Sequence, residues 1–405
     1  MIDADERLDD LAARFAAREG DLHAFLPEPG RFARLRREIA ACRGPLAGMT
    51  LGVKDVFHVD GLPTTAGSRL PPAEFAGPEG PAVAALRAAG ALVVGKTVST
   101  EFAYFAPGPT VNPHDPTRTP GGSSSGSAAA VAAGLCDVAM GTQTIGSVIR
   151  PAAFCGVVGF KPSFGRVSTS GLVPLAPSFD HVGWFARSVA EVSRIAELLC
   201  TGWRPVALSG RPRIGVPRGP YLDRPIPAAR TAFEVSLGRL AAAGFTVVDV
   251  PVFEDFDEIV TRHNRVVAAE AAQVHERWFA RYAERYQART RELIERGQTI
   301  SSPRLAADLA ACRAFAEGLE ARMASAEIDV WVAPSALGPA PRGLEATGDP
   351  VMNLPWTQAG LPVIGLPAGR AEDMPLGLQV IARRGQDEEL LAWVRALAIA
   401  EAVAS

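Results

Sequence analysis

A chain of 405 residues, 48% of them apolar and 21% charged, has the apolar content of a packed protein and not of a disordered one. A formal net charge of -3 argues against nucleic acid or an anionic membrane as the main partner, although a local basic patch would escape that test. The length suits one large domain or two ordinary ones.

Residues 3–44 read as one or two helices, because Leu8, Leu11 and Phe15, then Phe32, Leu35 and Ile39, recur at helical spacing. A block punctuated by Gly and Pro spans 45–200. It opens on an apolar strand pattern at 51–57, followed by a short helix ending at Gly90 and a buried strand at 91–95. Helix, glycine and strand in that order suggest an α/β unit. A second unit lies at 213–252: a strand at 214–216, a helix carrying Phe233, Leu237 and Leu240 on one face, a C-cap at Gly244, and a strand at 245–252. Residues 255–325 are strongly helical. Strands are predicted at 328–333, 360–367 and 377–381, and a final helix from Asp387, with Leu390, Leu391, Val394 and Leu397 on one side. No composition shift marks a linker, so the expectation is one large α/β domain over 1–405, with helical insertions.

Cys42, Cys136, Cys155, Cys200 and Cys312 are scattered and form no CxxC pair, and the six histidines show no HxxxH or HxH spacing. Neither a disulfide framework nor a metal site is expected. The acidic N-terminus carries no basic segment ahead of an apolar run, and no apolar stretch reaches the roughly 18 residues of a membrane helix. A cytoplasmic protein without cofactor is expected. Of the 41 basic residues only Lys54, Lys96 and Lys161 are lysine. An arginine-favouring genome accounts for the bias, but arginine keeps its proton in proteins and lysine can lose it. Each remaining lysine therefore raises the question of whether an amine is required.

The segment 120–134, Pro-Gly-Gly-Ser-Ser-Ser-Gly-Ser-Ala-Ala-Ala-Val-Ala-Ala-Gly, has three readings. It is a flexible linker, a phosphate loop, or a rigid turn that sets a serine hydroxyl and backbone donors at a helix start. The apolar flanks oppose the linker, and the absence of Gly-Lys-Ser/Thr and GxGxxG opposes the phosphate loop. In the loop at 141–147, Gly-Thr-Gln-Thr-Ile-Gly-Ser, small and hydroxyl residues either turn successive N–H groups toward one point, as an oxyanion needs, or only permit tight packing.

Taken together with Gly52-Val-Lys-Asp55, these two blocks resemble the amidase signature family. Further matches are Gly95-Lys-Thr, Glu101-Phe102, Cys155-Gly-Val-Val-Gly-Phe-Lys-Pro162, 175–183, Gly360-Leu-Pro and Leu376-Gly-Leu-Gln379. The resemblance covers about 45–200 and 328–395. It implies a central mixed β-sheet covered by helices on both faces, with 255–325 as a helical, substrate-shaping insertion. It also implies a Ser–cis-Ser–Lys triad: Ser147 as nucleophile, Ser123 as relay and Lys54 as base. The backbone N–H groups of Thr144, Ile145 and Gly146 are the implied oxyanion hole, and Ser124 is an accessory hydrogen-bonding residue toward the substrate.

The residue types fit that chemistry. A serine hydroxyl is a weak nucleophile until a base takes its proton. For Lys54 to act as base its pKa must drop by ~3 units, about 4 kcal/mol against the charged form, which burial among apolar neighbours supplies. Strand alternation should turn Asp55 away from it. Two departures stand out: Gln143 occupies a position where the family frequently has aspartate, and Ile149 one where it has arginine, with Arg150 a residue later. That variant resembles malonamidase-type members, in which the arginine holds a substrate carboxylate. Arg150 either does the same or is tied to backbone carbonyls or a structural carboxylate. Lys96 and Lys161 read as structural, Asp180 as framework and His181 as structural.

The expected activity is hydrolysis of a linear amide, on a small acidic substrate if Arg150 binds a carboxylate. The partner is then a small-molecule amide; neither nucleic acid nor membrane is expected, and a homodimer is left open. An acyl-transfer component of an amidotransferase assembly is the alternative, opposed by the short C-terminus. A non-catalytic scaffold is opposed by the intact Lys54, Ser123 and Ser147. Specificity is expected from 255–325 and loops such as 336–356.

Overall fold

The apolar runs read as strands pair into a ten-stranded mixed sheet. The computed structural model describes residues 4–208 and 210–396. Two helices lead in, α1 (Ala4–Leu22) and α2 (Arg31–Ile39). Leu8, Leu11, Phe15 and Leu35 are buried, as a helical apolar stripe requires. Strand β1 (Thr50–Lys54), helix α3 (Pro81–Ala88) and strand β2 (Leu92–Thr97) form the first α/β unit, and its strands pair in parallel. The chain continues through α4 (Ser125–Ala132), β3 (Val138–Gln143), α5 (Ile149–Cys155), β4 (Val158–Lys161), β5 (His181–Ala186) and α6 (Val189–Leu199).

The second unit is β6 (Ile214–Arg218), α7 (Pro227–Ala242) and β7 (Val247–Pro251), again with parallel strands. The helical stretch resolves into α8 (Phe256–Tyr282), α9 (Ala288–Gln298) and α10 (Ser302–Ser325). It is followed by β8 (Val330–Pro334), α11 (Leu354–Gln358), the antiparallel pair β9 (Val363–Ala371) and β10 (Met374–Ala382), and α12 (Asp387–Ala396). Leu390, Leu391 and Val394 are buried; Leu397, assigned to the same face, lies outside the described residues.

Strand order is β2-β1-β3-β5-β4-β9-β10-β8-β6-β7, so the two parallel units sit at the edges and antiparallel pairs fill the middle. Every residue of β3, β5 and β8 is buried. Burial of alternate side chains on both sides of a strand requires helices over both faces of the sheet. No helix among the described residues is long and apolar enough to cross a membrane.

One boundary bears directly on the site. The apolar pattern predicts a strand to residue 57, but the chain turns after Lys54, where the N–H groups of Val56 and Phe57 both donate to the Lys54 carbonyl. Lys54 thus ends β1, beside the parallel strand β3, whose own end at Gln143 feeds the 144–147 loop. Ligand sites of open α/β sheets lie outside the carboxyl ends of such strands.

Candidate active site

Lys54 is fully buried at the end of β1. Its Nζ lies 2.7 Å from the Ser123 hydroxyl and 2.8 Å from the Thr142 hydroxyl, within hydrogen-bond reach of both. Burial pushes its pKa down to about 7, against a weaker opposing pull from the Asp180 carboxylate. Asp55 does turn away: it pairs with Lys96 at 2.8 Å and accepts from the Thr65 N–H and hydroxyl. Lys96 also donates to Thr64 Oγ1 at 2.9 Å, which accounts for it as a packing lysine. Lys161 is likewise buried and lowered to about 7, with its amine on the Leu361 and Pro162 carbonyls.

The Gly/Ser block forms a rigid turn running into α4. Gly121 takes φ +83°, a left-handed conformation that glycine adopts without steric cost. The Gly122–Ser123 peptide is cis, and the Ser123 carbonyl accepts the Thr100 N–H at 3.1 Å. Small residues are needed where α4 begins: a Cβ on Gly126 would lie 2.1 Å from the Ala24 carbonyl oxygen. Ser124 corrects an expectation. It is fully buried with its hydroxyl against the backbone of Thr142 in β3, so it packs the helix start and does not line the cleft.

Ser147 stands across the cleft, at the end of the 144–147 loop. The loop is folded back by Gln143, whose Oε1 accepts from the N–H groups of Val148 and Ile149 at 2.8 and 3.0 Å. Its Nε2 donates to Thr357 Oγ1 at 3.0 Å, a bond an aspartate could not make. Among the described residues, the N–H groups of Thr144, Ile145 and Gly146 have no carbonyl partner in the backbone. Ser147 is 7% exposed and its hydroxyl makes no hydrogen bond to another described residue, so the contact to Ser123 is not closed in this structure. Catalytic contacts of this kind commonly tighten only with substrate in place.

Ser123, Thr144, Ile145, Ser147 and Arg150 share a cleft with Ala103–Phe105, Thr347 and Pro350. Residues 103–105 and, from the 336–356 loop, Thr347 and Pro350 line the site; no residue of 255–325 is among the lining, and α10 lines a larger groove with Phe164 and Phe179. Arg150 is fully buried in the cleft wall. Its Nη2 donates to the Gly122 carbonyl at 2.6 Å and to Thr347 Oγ1 at 3.2 Å, and its Nη1 to the Gly348 carbonyl. Of the two readings left open, this geometry is the tie to backbone carbonyls.

Asp180 sits behind the loop. Its Oδ1 accepts the Thr144 hydroxyl at 2.5 Å and its Oδ2 the N–H groups of Leu175 and Ala176. Burial lifts its pKa to about 6, with those bonds pulling the other way. His181 lies in β5 with Nδ1 at the Phe179 carbonyl and does not line the cleft. Sequence reading passes over Thr142, although it directly follows Gly141 on a strand whose end leads into the oxyanion loop. It also passes over His263 and Thr357, which hold the loop from behind. No group of three or more His, Cys, Asp or Glu among the described residues is arranged to hold a metal ion.

The Amidase family model matches residues 31–391. A glutamyl-tRNA(Gln) amidotransferase subunit from Synechococcus sp. (strain RCC307) is 34% identical, covering 96% of this chain and 92% of its own. A solved structure described as an amidase is 34% identical with a TM-score of 0.85, covering 96% of this chain and 95% of its own. The structure of 6-aminohexanoate cyclic dimer hydrolase with its substrate is 27% identical with a TM-score of 0.88, covering 99% and 94%.

Proposed function

The chain belongs to the amidase signature family, and from that premise we propose that it breaks the C–N bond of a small carboxamide through an acyl-enzyme on Ser147. One observation carries the reading: a buried amine lowered to about 7 lies 2.7 Å from the Ser123 hydroxyl, in the cleft wall that also bears Ser147. A neutral amine donates to one hydroxyl and offers its lone pair to another. Thr142 takes the donated hydrogen, which turns the lone pair toward Ser123.

Ser147 Oγ attacks the carbonyl carbon, its proton passes to Ser123, and the Ser123 proton passes to Lys54. The oxyanion is met by the free N–H groups of 144–146, preorganised donors of the kind that contribute most to acyl transfer. The proton returns along the relay to the leaving nitrogen and ammonia departs. Water then repeats the sequence on the ester, releasing the carboxylate and Ser147. The triad and the oxyanion donors require no cofactor for this sequence.

The fate of the ammonia has two readings. The curated relatives back delivery to a partner, since the Synechococcus protein is itself part of an amidotransferase. The structural likeness to 6-aminohexanoate cyclic dimer hydrolase backs hydrolysis, with water as the acyl acceptor. Both use the same cleavage, and a triad carried in one chain needs nothing from a partner. Purified protein offered a panel of carboxamides should release ammonia on its own. The delivery reading adds stimulation by a co-purifying partner protein; ammonia release from no amide would end both.

The base works only as the neutral amine. Below about 7 the ammonium predominates, so kcat/KM should rise about tenfold per pH unit up to about 7 and level off above it. A flat profile from pH 5 to 9 would contradict Lys54 as base.

We also propose that Arg150 clamps the 122 and 347–348 loops, since three of its bonds go to them. Charge-assisted bonds of this kind contribute about 1.5–3 kcal/mol each, so Arg150→Lys should lower kcat/KM by about 10- to 100-fold on acidic and neutral amides alike. A loss confined to acidic amides would instead identify Arg150 as a carboxylate receptor.

A further inference from the structure

Two hydrogen bonds reach the oxyanion loop from the side away from the cleft. His263, on α8, is fully buried and its Nε2 lies 3.1 Å from the Thr144 carbonyl oxygen. A carbonyl only accepts, so Nε2 carries the hydrogen. The ring is stacked on Phe179, with centroids 4.3 Å apart and planes 7° from parallel, and its Nδ1 has no hydrogen-bond partner among the described residues. Thr357, on α11, donates to the Ile145 carbonyl at 2.7 Å. Its hydroxyl oxygen accepts from Gln143 Nε2 at 3.0 Å, which leaves its single hydrogen to be given away. The Asn353 carbonyl competes for it at the longer distance of 3.1 Å.

In a planar trans peptide the N–H points opposite to the C=O. The Thr144 carbonyl shares its peptide with the Ile145 N–H, and the Ile145 carbonyl with the Gly146 N–H. A donor fixed behind each carbonyl therefore turns the paired N–H in the opposite direction, toward Ser147. Gly146 is seated against the same support: a Cβ there would meet Asn353 Oδ1 at 2.4 Å. We infer that His263 and Thr357 are positioning residues that aim the two oxyanion-hole donors, one per peptide. This rests on the reading of Ser147 and the loop given above. It also gives α8 a part in the reaction although none of its residues lines the cleft. The short motifs that carry the family resemblance include neither His263 nor Thr357.

The test is a set of four variants assayed for ammonia release beside the wild type. Thr357→Val keeps the shape and removes the donor, and Thr357→Ser restores it. His263→Phe keeps the stack on Phe179 and removes the donor, and His263→Gln offers an amide donor in its place. Removing an oxyanion donor outright costs about 10²–10³ in kcat. Misaiming one should cost less: about 10- to 100-fold in kcat for Val and Phe, with KM within about twofold and partial recovery in Ser and Gln. The pH midpoint should not move, because Lys54 is untouched; a merely structural disturbance would shift it or raise KM. Should His263→Phe fail to fold, Thr357→Val and its serine rescue decide alone. Wild-type kcat in Thr357→Val would overturn the inference while leaving the triad standing. A wild type that neither releases ammonia nor labels at Ser147 would overturn the triad and this inference with it.

Discussion

Replacing Ser147 with alanine should lower kcat for amide cleavage by about 10⁴–10⁶ with little change in melting temperature. When a catalytic unit loses its nucleophile, the remaining members cannot act separately, and only oxyanion stabilisation and binding persist. The stability half follows from position. Ser147 is on the cleft wall, and its hydroxyl bonds to no other described residue, so no buried partner is left unsatisfied. Substrate binding should survive, because the loop donors and Arg150 remain in place. A Ser147→Ala protein that keeps more than about a hundredth of the wild-type kcat would place the nucleophile elsewhere, since that residual rate is too high for binding and oxyanion stabilisation alone.

The second large effect falls on Lys54, and it separates activity from stability. Lys54→Met should cost about 10³–10⁴ in kcat and abolish the rise of activity toward pH 7, because general-base action is lost with the amine. Lys54→Arg should be no better, since a guanidinium holds its proton throughout the working range. Stability should move the other way. The folded-state pKa, about 7, is lower than the ordinary lysine value of 10.5. Between those two values the unfolded chain binds the proton and the folded chain sheds it. The wild type therefore gains stability as pH rises from about 7 to 10.5, by about 1.4 kcal/mol per unit from this group, and below 7 carries the full penalty. Met removes that penalty at the smaller cost of leaving two hydroxyls without the amine. At pH 7 Lys54→Met should melt no lower than the wild type; a drop of several degrees would contradict a buried, depressed amine.

The parts of the site that sequence reading reaches are those whose signal is local. Lys54, Ser123 and Ser147 each lie in a short ordered motif, and the strands that carry them are apolar runs cut by glycine. What it misses depends on contacts distant in the chain. Nothing near His263 indicates that a ring on a helix will meet a carbonyl 119 positions earlier. Part of the cleft lining comes from 103–105, a stretch with no pattern of its own, and part from Thr347 and Pro350 in the expected 336–356 loop. Ser124 departs from its expected place for a geometrical reason. Just ahead of α4 the chain is not yet helical: Ser123 follows a cis peptide and lines the cleft, while the Ser124 hydroxyl meets the backbone of Thr142 in β3. Arg150 is legible as an interacting arginine, but its partners are backbone carbonyls, which have no residue identity to read. Lysine scarcity directs attention to three positions, and burial explains all three. Geometry singles out Lys54, the one whose amine meets a hydroxyl of the cleft.

The most direct test of the account is where a serine-reactive fluorophosphonate attaches. Intact mass followed by peptide mapping should show one adduct per chain, on Ser147, formed more slowly below about pH 7 and absent from Ser147→Ala. An adduct on Ser123 or another serine, or ammonia release undiminished in protein fully labelled elsewhere, would contradict Ser147 as the nucleophile served by Ser123 and Lys54.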